Sequence, residues 1–283
     1  MSVTTALNPD SRAFYAMKII RFLDADNHIC IGRLLDDGSV RLLNGDLFGA
    51  LEETDRAAEV KKLLAPLTPS AIFCIGLNYI RHAKEGGLEP PDFPVVFMKS
   101  PAAVQHPGEP IHLPRRLPST EVDFECELAV VIGRTCKNAT QDNALDYVLG
   151  YTCANDVSAR DWQGKWGGGQ WCRGKTFDTF APIGPCLVTA DEIPNPNNLP
   201  IRTVLNGEVM QDWNTEDMIF NVPRLVDFLG GGPTLPPATL ILTGTPHGIG
   251  AARKPPIFLK PGDSVTVEID GIGKLTNSVI EEE

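Results

Sequence analysis

Long apolar runs and paired cysteine motifs are both missing from this sequence. No stretch approaches the ~20 apolar residues that a membrane-spanning helix needs, so we expect no membrane partner. The seven cysteines are odd in number, and no two of them stand in a Cys-x-x-Cys spacing. This argues against a disulfide framework and a zinc ribbon, and it favours a reducing compartment. We therefore expect a cytoplasmic protein, or one of the mitochondrial matrix if its source is eukaryotic.

The first 16 residues lack the features of a targeting signal. They carry one arginine and no long apolar stretch. They do not resemble a secretory signal, and they would make a poor mitochondrial presequence.

Positive charge is scarce. The chain has 25 lysines and arginines against 36 acidic residues, which gives a net charge of −11. Such a chain repels phosphate backbones, so we expect no nucleic-acid partner. The acidic excess fits a protein that gathers several carboxylates around a cation. The hydrophobic fraction of 42% is ordinary for a globular protein, so a packed core is expected.

Two regions with different patterns follow one another along the chain. Short strands and turns predict a small β meander near the N-terminus, followed by an amphipathic stretch at Asp46–Ala58. Pro66 and Pro69 cannot continue a helix and mark a boundary. We therefore predict a small N-terminal β-rich domain over residues 1–70 and a larger domain over residues 71–283.

Strands outnumber helices in the larger domain. Its β-rich runs are separated by loops rich in proline and glycine, and they lie at Ala71–Gly76, Val95–Lys99, Glu125–Gly133, Leu149–Ala154, Pro185–Thr189, Ile201–Leu205, Thr239–Thr243 and Ser264–Ile269. The helical patterns are short and lie near Tyr79–Glu85, Asn143–Tyr147, Val157–Gln163 and Val222–Leu229. Without regular alternation of strand and helix, the pattern favours a mixed β-roll or β-sandwich of the α+β class over a Rossmann sheet.

Two glutamates begin one of these predicted strands. Glu125 and Glu127 are separated by one residue, so in a strand they point the same way, roughly 7 Å apart. Like charges at that distance repel, and no lysine or arginine directly upstream neutralises them. A bound cation would resolve the repulsion. A solvent-facing strand edge that carries two acids is the simpler alternative.

Asp156 adds a third carboxylate at the end of another predicted strand. It also begins the helical pattern Val157–Gln163, where an aspartate commonly caps the helix. The following turn is unusually polar and includes Arg160 and Gln163. Three carboxylates without a paired histidine or cysteine suit Mg²⁺, Mn²⁺ or Ca²⁺ rather than zinc. The spacing therefore indicates a metal site without deciding it.

A histidine and a carboxylate follow the predicted strand Ala71–Gly76. On a helix His82 and Glu85 share a face, and a histidine oriented by a carboxylate is a common general base. A surface ion pair is the simpler interpretation. The position of the pair, just after a strand, favours the catalytic interpretation because sites often form there.

Lys175 and Thr245 lie beside glycine-rich segments. Lys175 follows the loop Trp166–Trp171, which could close over a site as a lid. Thr245 lies in a glycine-rich turn after the strand Thr239–Thr243, and this turn lacks the spacing of a phosphate loop. We expect the turn to offer backbone N–H groups and the Thr245 hydroxyl to a carboxylate.

Together these segments resemble the fumarylacetoacetate hydrolase superfamily. The resemblance runs from about residue 70 to the end, and it rests on the order and spacing of five motifs, namely Gly76-Leu77-Asn78-Tyr79 with His82 and Glu85, the run from Glu125 to Gly133, the run from Asn155 to Asp161, the run from Gly174 to Thr179, and the run from Leu242 to Pro246. Gln170-Trp171 and residues 253–260 are similar to the second type of fumarylacetoacetate-hydrolase-domain-containing protein.

The resemblance implies a mixed β-roll fold, a homodimer, a bound Mg²⁺ or Mn²⁺ ion and a catalytic role for residues 71–283. It implies that nine residues form the site, with Glu125, Glu127 and Asp156 as metal ligands, His82, Glu85 and Lys175 as catalytic groups, and Arg160, Gln163 and Thr245 as contacts to substrate oxygens. One departure concerns the fumarylacetoacetases proper, which carry a further acid shortly before the histidine. The stretch at residues 73–76 has no acid, which argues against fumarylacetoacetate as substrate.

Our leading hypothesis is hydrolysis of a carbon–carbon bond in a 3-acylpyruvate-like substrate, a small α-keto acid. His82 would take a proton from water, and Lys175 with the metal would stabilise the enolate that forms. A second hypothesis is keto–enol tautomerisation or decarboxylation of oxaloacetate, which uses the same enolate without hydrolysis. A third hypothesis is a non-catalytic dimeric scaffold.

Overall fold

The computed structural model describes residues 16–283. The strands lie at β1 Lys18–Leu23, β2 Ile29–Leu34, β3 Val40–Gly45, β4 Leu51–Ala57, β5 Lys62–Leu64, β6 Ala71–Gly76, β7 Val95–Lys99, β8 Val104–Gln105, β9 Ile111–Leu113, β10 Val122–Asp123, β11 Cys126–Ile132, β12 Val148–Asn155, β13 Ser158–Ala159, β14 Ala181–Thr189, β15 Pro200–Leu205, β16 Glu208–Asn214, β17 Thr239–Leu242, β18 Ser264–Ile269 and β19 Gly273–Glu281. The α-helices lie at α1 Ile80–Glu85, α2 Arg160–Gln163, α3 Cys172–Lys175 and α4 Val222–Gly231. Single 3₁₀ turns lie at Pro101–Ala103, Ala144–Tyr147, Ala190–Glu192, Thr215–Asp217 and Gly250–Ala252.

One large mixed sheet organises the described chain. Its main path runs β4-β3-β2-β1-β14-β12-β11-β17-β6-β7, and β5 and β8 pair with β1 and β14 beside that path. Most neighbours are antiparallel, whereas β6 and β17 are parallel. A five-stranded sheet, in the order β16-β15-β18-β19-β9, lies alongside. The predicted mixed β fold of the α+β class is confirmed.

The central strand β11 is buried on both faces. Leu128 and Val130 pack in one apolar cluster with α4 and the five-stranded sheet, whereas Ala129 and Val131 pack in a second cluster on the other face. A strand covered on both faces reads as a continuous apolar run rather than an alternating one. This explains why the sequence of β11 remains apolar after Glu127.

The longest helix, α4, begins where the sequence provides a cap. The side chain of Asn221 accepts a hydrogen bond from the backbone N–H of Arg224, and Pro223 occupies the first turn, where its missing N–H costs nothing. Within residues 16–283, no helix is long and apolar enough to cross a membrane.

The N-terminal meander is joined to the large sheet. β1 pairs with β14, so strands on both sides of residue 70 share one sheet. The amphipathic stretch Asp46–Ala58 contains the strand β4 and not a helix. The division at residue 70 stays a prediction, and the expectation for residues 1–15, which carry most of the segment judged for a targeting signal, lies outside the described residues.

The helical pattern predicted at Val157–Gln163 is wrong over its first half. Ser158 and Ala159 form β13 and pair with β10, so the helix begins only at Arg160. Asp156 therefore does not cap a helix. Its carboxylate is free for the charged contacts described below.

Candidate active site

Four strand ends meet at one edge of the large sheet. The first residue of β11 pairs with the last residue of β12, and β17 lies antiparallel to β11 and parallel to β6. The start of β11 therefore lies beside the ends of β12, β17 and β6. Sequence segments that are far apart along the chain are brought together there.

The three predicted carboxylates meet at this edge. One oxygen from each of Glu125, Glu127 and Asp156 lies within 4.8 Å of the others, and all three residues are buried. Glu125 directly precedes β11, and its backbone N–H donates to the side chain of Asn155 at 3.0 Å. The backbone N–H of Asp156 donates to the Glu125 carbonyl at 2.9 Å. The backbone thus fixes the spacing between the carboxylates.

Two buried lysines neutralise part of this negative charge. Lys175 Nζ lies 2.8 Å from Glu125 Oε2 and 2.7 Å from Asp156 Oδ2. Lys99 Nζ lies 2.6 Å from Asp156 Oδ1. Burial lowers the pKa of Lys175, but the charges of Asp156 and Glu125 outweigh burial and hold the pKa above its ordinary value. The ammonium form of Lys175 is therefore favoured.

Arg160 contacts two carboxylates and one amide. Its Nη1 lies 2.6 Å from Glu125 Oε1 and donates to Gln163 Oε1 at 3.0 Å. Its Nη2 donates to Asp123 Oδ2 at 2.8 Å. Burial would raise the pKa of Glu125, but the charges of Lys175 and Arg160 outweigh it and lower the pKa to about 2. Glu125 is thus held as a carboxylate.

Glu127 has a different environment. Among residues 16–283 no lysine or arginine forms an ion pair with it, and its Oε2 accepts a hydrogen bond from the backbone N–H of Gly244 at 2.7 Å. Burial, together with the charges of Asp156 and Glu125, raises its pKa well above the ordinary value. A cation beside Glu127 would remove this repulsion. The all-oxygen donor set fits a hard divalent ion, so the three residues could hold one.

The predicted dyad forms at the same edge. His82 Nδ1 lies 3.3 Å from Glu85 Oε2, and the backbone N–H of Gly248 donates to Glu85 Oε1 at 2.9 Å. Burial raises the pKa of Glu85, but the hydrogen bonds from His82 and Gly248 outweigh burial and lower the pKa. Glu85 is therefore an anion that fixes one ring nitrogen of His82. The other nitrogen, Nε2, is left for proton transfer.

Thr245 is oriented by a buried glutamine. Gln211 Nε2 donates to Thr245 Oγ1 at 2.8 Å and to the Pro246 carbonyl at 2.7 Å. Its Oε1 accepts from the backbone N–H of Cys126 at 3.0 Å. Because the Thr245 oxygen accepts from Gln211, its own proton remains available for another acceptor.

These groups surround a single pocket of about 140 Å³. Seven of the nine predicted site residues line it, namely His82, Glu125, Glu127, Arg160, Gln163, Lys175 and Thr245. Asp156 does not line the pocket but is bonded to Lys175, which does. Glu85 contacts the pocket through His82. The remaining wall is apolar and consists of Ile75, Gly76, Leu77, Phe97 and Trp171. The pocket is small beside the roughly 300–1,000 Å³ of common ligand pockets, so it suits a short molecule.

Three residues of the site were missed by the sequence reasoning. Lys99, Asp123 and Gln211 are buried and bonded to site residues, yet each is an isolated polar residue at a strand end or in a strand. The signal for Lys99 was a lysine at the end of the apolar run Val-Val-Phe-Met, which is an unusual position for a solvated charge. Asp123 stood directly before the glutamate pair and could have been grouped with it.

A family model described as "Fumarylacetoacetate (FAA) hydrolase C-terminal" matches residues 71–280. The chain belongs to the fumarylacetoacetate hydrolase family. It is an enzyme of that family, and the resemblance stated from its motifs is confirmed. A second model, described as "Rv2993c-like, N-terminal", matches residues 17–66.

Known relatives cover most of the chain. It is 49% identical over 219 residues to "Oxaloacetate tautomerase fahd2, mitochondrial" of Xenopus laevis, a match that spans 77% of this chain and 68% of the relative. It is 48% identical to "Fumarylacetoacetate hydrolase domain-containing protein 2 homolog" of Dictyostelium discoideum, over 77% and 74% of the two chains. Among solved structures, the 2-hydroxyhepta-2,4-diene-1,7-dioate isomerase of Mycobacterium marinum matches with a TM-score of 0.81 and 38% identity, over 94% of this chain and 99% of that one.

Proposed function

We propose that this enzyme binds a divalent metal ion, Mg²⁺ or Mn²⁺, at Glu125, Glu127 and Asp156 and interconverts the keto and enol forms of a short α-keto acid such as oxaloacetate. One observation carries the proposal: His82, which contacts Glu85, and Lys175 line the same small pocket as Glu125 and Glu127. The relative from Xenopus laevis is described as an oxaloacetate tautomerase, which supports this substrate. For this reason we rank tautomerisation ahead of hydrolysis.

The charges of the site suit an anionic substrate once a metal is bound. Four buried carboxylates face the three cationic groups of Lys99, Arg160 and Lys175. A divalent ion would turn this near balance into an excess of positive charge. When bound, the ion would polarise the keto oxygen and so favour loss of a proton from the adjacent carbon. The α-keto acid end of the substrate is then held at the carboxylate side of the pocket.

In this proposal His82 transfers the proton. Its Nδ1 is engaged by Glu85, so Nε2 removes a proton from the carbon beside the keto group or returns one to it. Lys175 holds positive charge next to Glu125 and Asp156, where negative charge develops on the substrate oxygen. Arg160, Gln163 and Thr245 line the same pocket, and in this proposal they bind the carboxylate oxygens of the substrate. Removal of a proton from the carbon beside the keto group and delivery of a proton to the keto oxygen convert the keto form to the enol form, and the reverse steps convert it back.

Hydrolysis of a 3-acylpyruvate-like substrate is the second candidate. The same dyad supports it, because a histidine held by a carboxylate can equally take a proton from water. Decarboxylation of oxaloacetate would use the same charge stabilisation without the histidine. A non-catalytic scaffold is disfavoured, since the pocket retains base, cation and carboxylates together.

Product analysis separates these reactions. Purified protein with Mg²⁺ or Mn²⁺ is given enol-oxaloacetate and, separately, a set of acylpyruvates. We expect faster loss of the enol absorbance with no new acid and no carbon dioxide. Release of a free acid from acylpyruvates would favour hydrolysis, and release of carbon dioxide would favour decarboxylation. Inactivity on every substrate while metal is bound would instead support the hypothesis of a non-catalytic scaffold.

Replacing the carboxylate of the dyad tests the base. Glu85→Gln keeps the shape but loses the charge that orients His82, so we expect turnover to fall by roughly 10²–10⁴-fold. Metal binding, measured by calorimetry, should be unchanged because Glu85 is not in the carboxylate triad. Glu89→Gln removes a nearby exposed acid and serves as the matched control. Turnover of Glu85→Gln equal to that of the control would remove the dyad from the mechanism.

The remaining expectations follow from the family and are part of the proposal. We propose a homodimer that acts on a small α-keto acid, with no nucleic-acid or membrane partner. The relative from Xenopus laevis is described as mitochondrial, which fits the expected matrix alternative to the cytoplasm.

A further inference from the structure

One wall of the pocket is aromatic and apolar. Trp171 and Phe97 both line it, and their rings meet edge to face with centroids 5.5 Å apart and an angle of 68° between the planes. Phe97 also lies against the charged side of the pocket, because Lys175 Nζ is 5.1 Å from its ring centroid. Phe97 therefore lies between a charged group of the pocket, Lys175, and the Trp171 ring, with contacts to both.

The Trp171 ring packs directly against Gly76, which has no side chain to displace it. A Cβ atom placed on Gly76 would lie 2.2 Å from Cζ3 and 3.0 Å from Cη2 of Trp171. Both distances are shorter than an ordinary contact between carbon atoms, so the indole lies directly on the backbone at the end of β6. A side chain at position 76 would force the ring to move. The position of the ring thus depends on a glycine in a different segment of the chain.

The ring occupies the space that a longer substrate would need. The pocket of about 140 Å³ is bounded by the carboxylates and their cations on one side and by Trp171, Phe97 and Ile75 on another. If the α-keto acid end of a substrate binds at the carboxylates, a longer acyl chain would have to lie against the apolar wall, where the indole limits the space.

We propose that Trp171, seated on Gly76, sets the length of the acid that this enzyme accepts. The ring restricts the pocket to short keto acids of about the size of oxaloacetate and excludes acids with longer acyl chains. This inference rests on the proposed function, because it assumes that the keto acid end binds at the carboxylate triad. Each methylene group that can be buried against an apolar wall gains about fourfold in binding, so removal of the ring should reward longer chains.

The test is a chain-length profile of Trp171→Ala. The values of kcat/KM for keto–enol interconversion are measured with Mg²⁺ present, for oxaloacetate and for a series of 3-acylpyruvates with increasing acyl length. We expect the ratio of long to short substrate to rise by about tenfold or more, with an absolute gain for the long acids. A misfolded variant cannot produce such a gain. Equal losses for all lengths, or an unchanged ratio, would overturn the proposal.

The same loop offers a matched control. Trp166 is 48% exposed and packs edge to face on Trp162, with centroids 5.3 Å apart, and it does not line the pocket. Trp166→Ala should therefore keep the wild-type profile. If both tryptophan variants shift the profile alike, the effect belongs to the loop as a whole and the specific role of Trp171 is refuted.

Gly76 provides an independent arm. Gly76→Ala must displace the indole, so we expect this variant to change the chain-length profile even though Trp171 is intact. In the double variant Gly76→Ala with Trp171→Ala, the new methyl group has room, and the profile should match that of Trp171→Ala. A wild-type profile for Gly76→Ala would show that the contact with Gly76 does not determine the position of the Trp171 ring.

Binding measurements separate failure of this inference from failure of the proposed function. Calorimetry with Mg²⁺-loaded protein gives the affinity for the same acids whether or not they react. If the wild-type protein turns over none of them, the proposed function fails, while a stronger preference of Trp171→Ala for long acids still supports the length limit. If the wild-type protein is active and the affinities keep their order in Trp171→Ala, only the length limit fails.

Discussion

Neighbouring charges distinguish Glu127 from Asp156 within the carboxylate triad. The two oxygens of Asp156 contact Lys99 and Lys175 at 2.6 and 2.7 Å, whereas Glu127 accepts one hydrogen bond from a backbone N–H. Without a metal, the charge of Asp156 is compensated and the charge of Glu127 is opposed by its neighbours. Two chemically similar substitutions should therefore differ in their effect on the stability of the metal-free protein.

We expect Glu127→Gln to leave the free energy of unfolding unchanged or higher when a chelator is present, because it removes a repelled charge and keeps an acceptor for Gly244. Asp156→Asn leaves two buried lysines without their shared partner. Removal of one member of a buried ion pair costs about 3–5 kcal/mol, so this variant should be destabilised by about that amount. Denaturant unfolding with chelator measures both. Equal destabilisation of the two variants would contradict the assigned charge environments.

The residues of the site differ in how far the sequence could predict them. Glu125, Glu127 and His82 belong to local patterns, an alternating acid pair and a helical spacing, that can be read from neighbours. Lys99 has no such pattern, and its contact is to Asp156, 57 positions away. No lysine or arginine lies directly upstream of Glu125 in the sequence, yet Lys175 and Arg160 reach its carboxylate from distant segments.

At the scale of elements, Asn78 joins three segments around the dyad. Its side-chain amide donates to the carbonyls of Phe220 and Thr243 at 3.0 and 2.7 Å, and its Oδ1 accepts from the Phe220 N–H at 2.8 Å. The turn between β6 and α1 is thereby fixed to the segment before α4 and to the end of β17. The position of His82 relative to the carboxylates depends on this connection.

Replacement of that amide tests the connection. Asn78→Asp keeps the shape but leaves two buried carbonyls without donors, each at a cost of about 1–3 kcal/mol, so we expect a loss of about 3 kcal/mol in stability. Urea unfolding provides the measurement, and turnover should fall as well. Asn138→Asp, at an exposed position with a positive φ that both residues tolerate, is the control. A loss no larger than that of the control would rule out the bracing role of Asn78.

Most elements could be predicted because their patterns are local. The strand predicted at Glu125–Gly133 and the helix predicted at Val222–Leu229 both have boundaries close to those observed. The helix expected from Val157 failed because Ser158 is paired with Asp123, a contact across 35 residues that no local pattern reveals. The pairing of β1 with β14 could not be predicted from the sequence either, because the two strands are far apart along the chain and no local pattern shows which strands become neighbours.

For the whole molecule, a metal at the triad would act as a ligand of the folded state. Glu125 and Glu127 lie at the start of β11, whereas Asp156 directly follows β12, so only the folded protein brings Asp156 to the two glutamates. Any ligand that binds the folded state alone stabilises it by mass action.

Addition of Mg²⁺ or Mn²⁺ should therefore raise the melting temperature. At a hundredfold excess over the dissociation constant the gain is about 2.7 kcal/mol, which corresponds to about 5–10 °C for a chain of this size. Differential scanning fluorimetry with and without chelator shows the shift, and Glu127→Gln should abolish it. An equal shift in that variant would place the metal elsewhere.

The parallel pairing of β6 with β17 has a consequence for how the protein is made. Ser70, just before β6, hydrogen-bonds to Thr239 at the start of β17, 169 residues later. At roughly 5–20 residues per second, a ribosome needs roughly 10–30 s to supply the missing strand. During that interval one side of β6 carries unpaired N–H and C=O groups, which invite association with other chains. This exposed edge belongs to β6, the strand that leads into the helix α1 with His82.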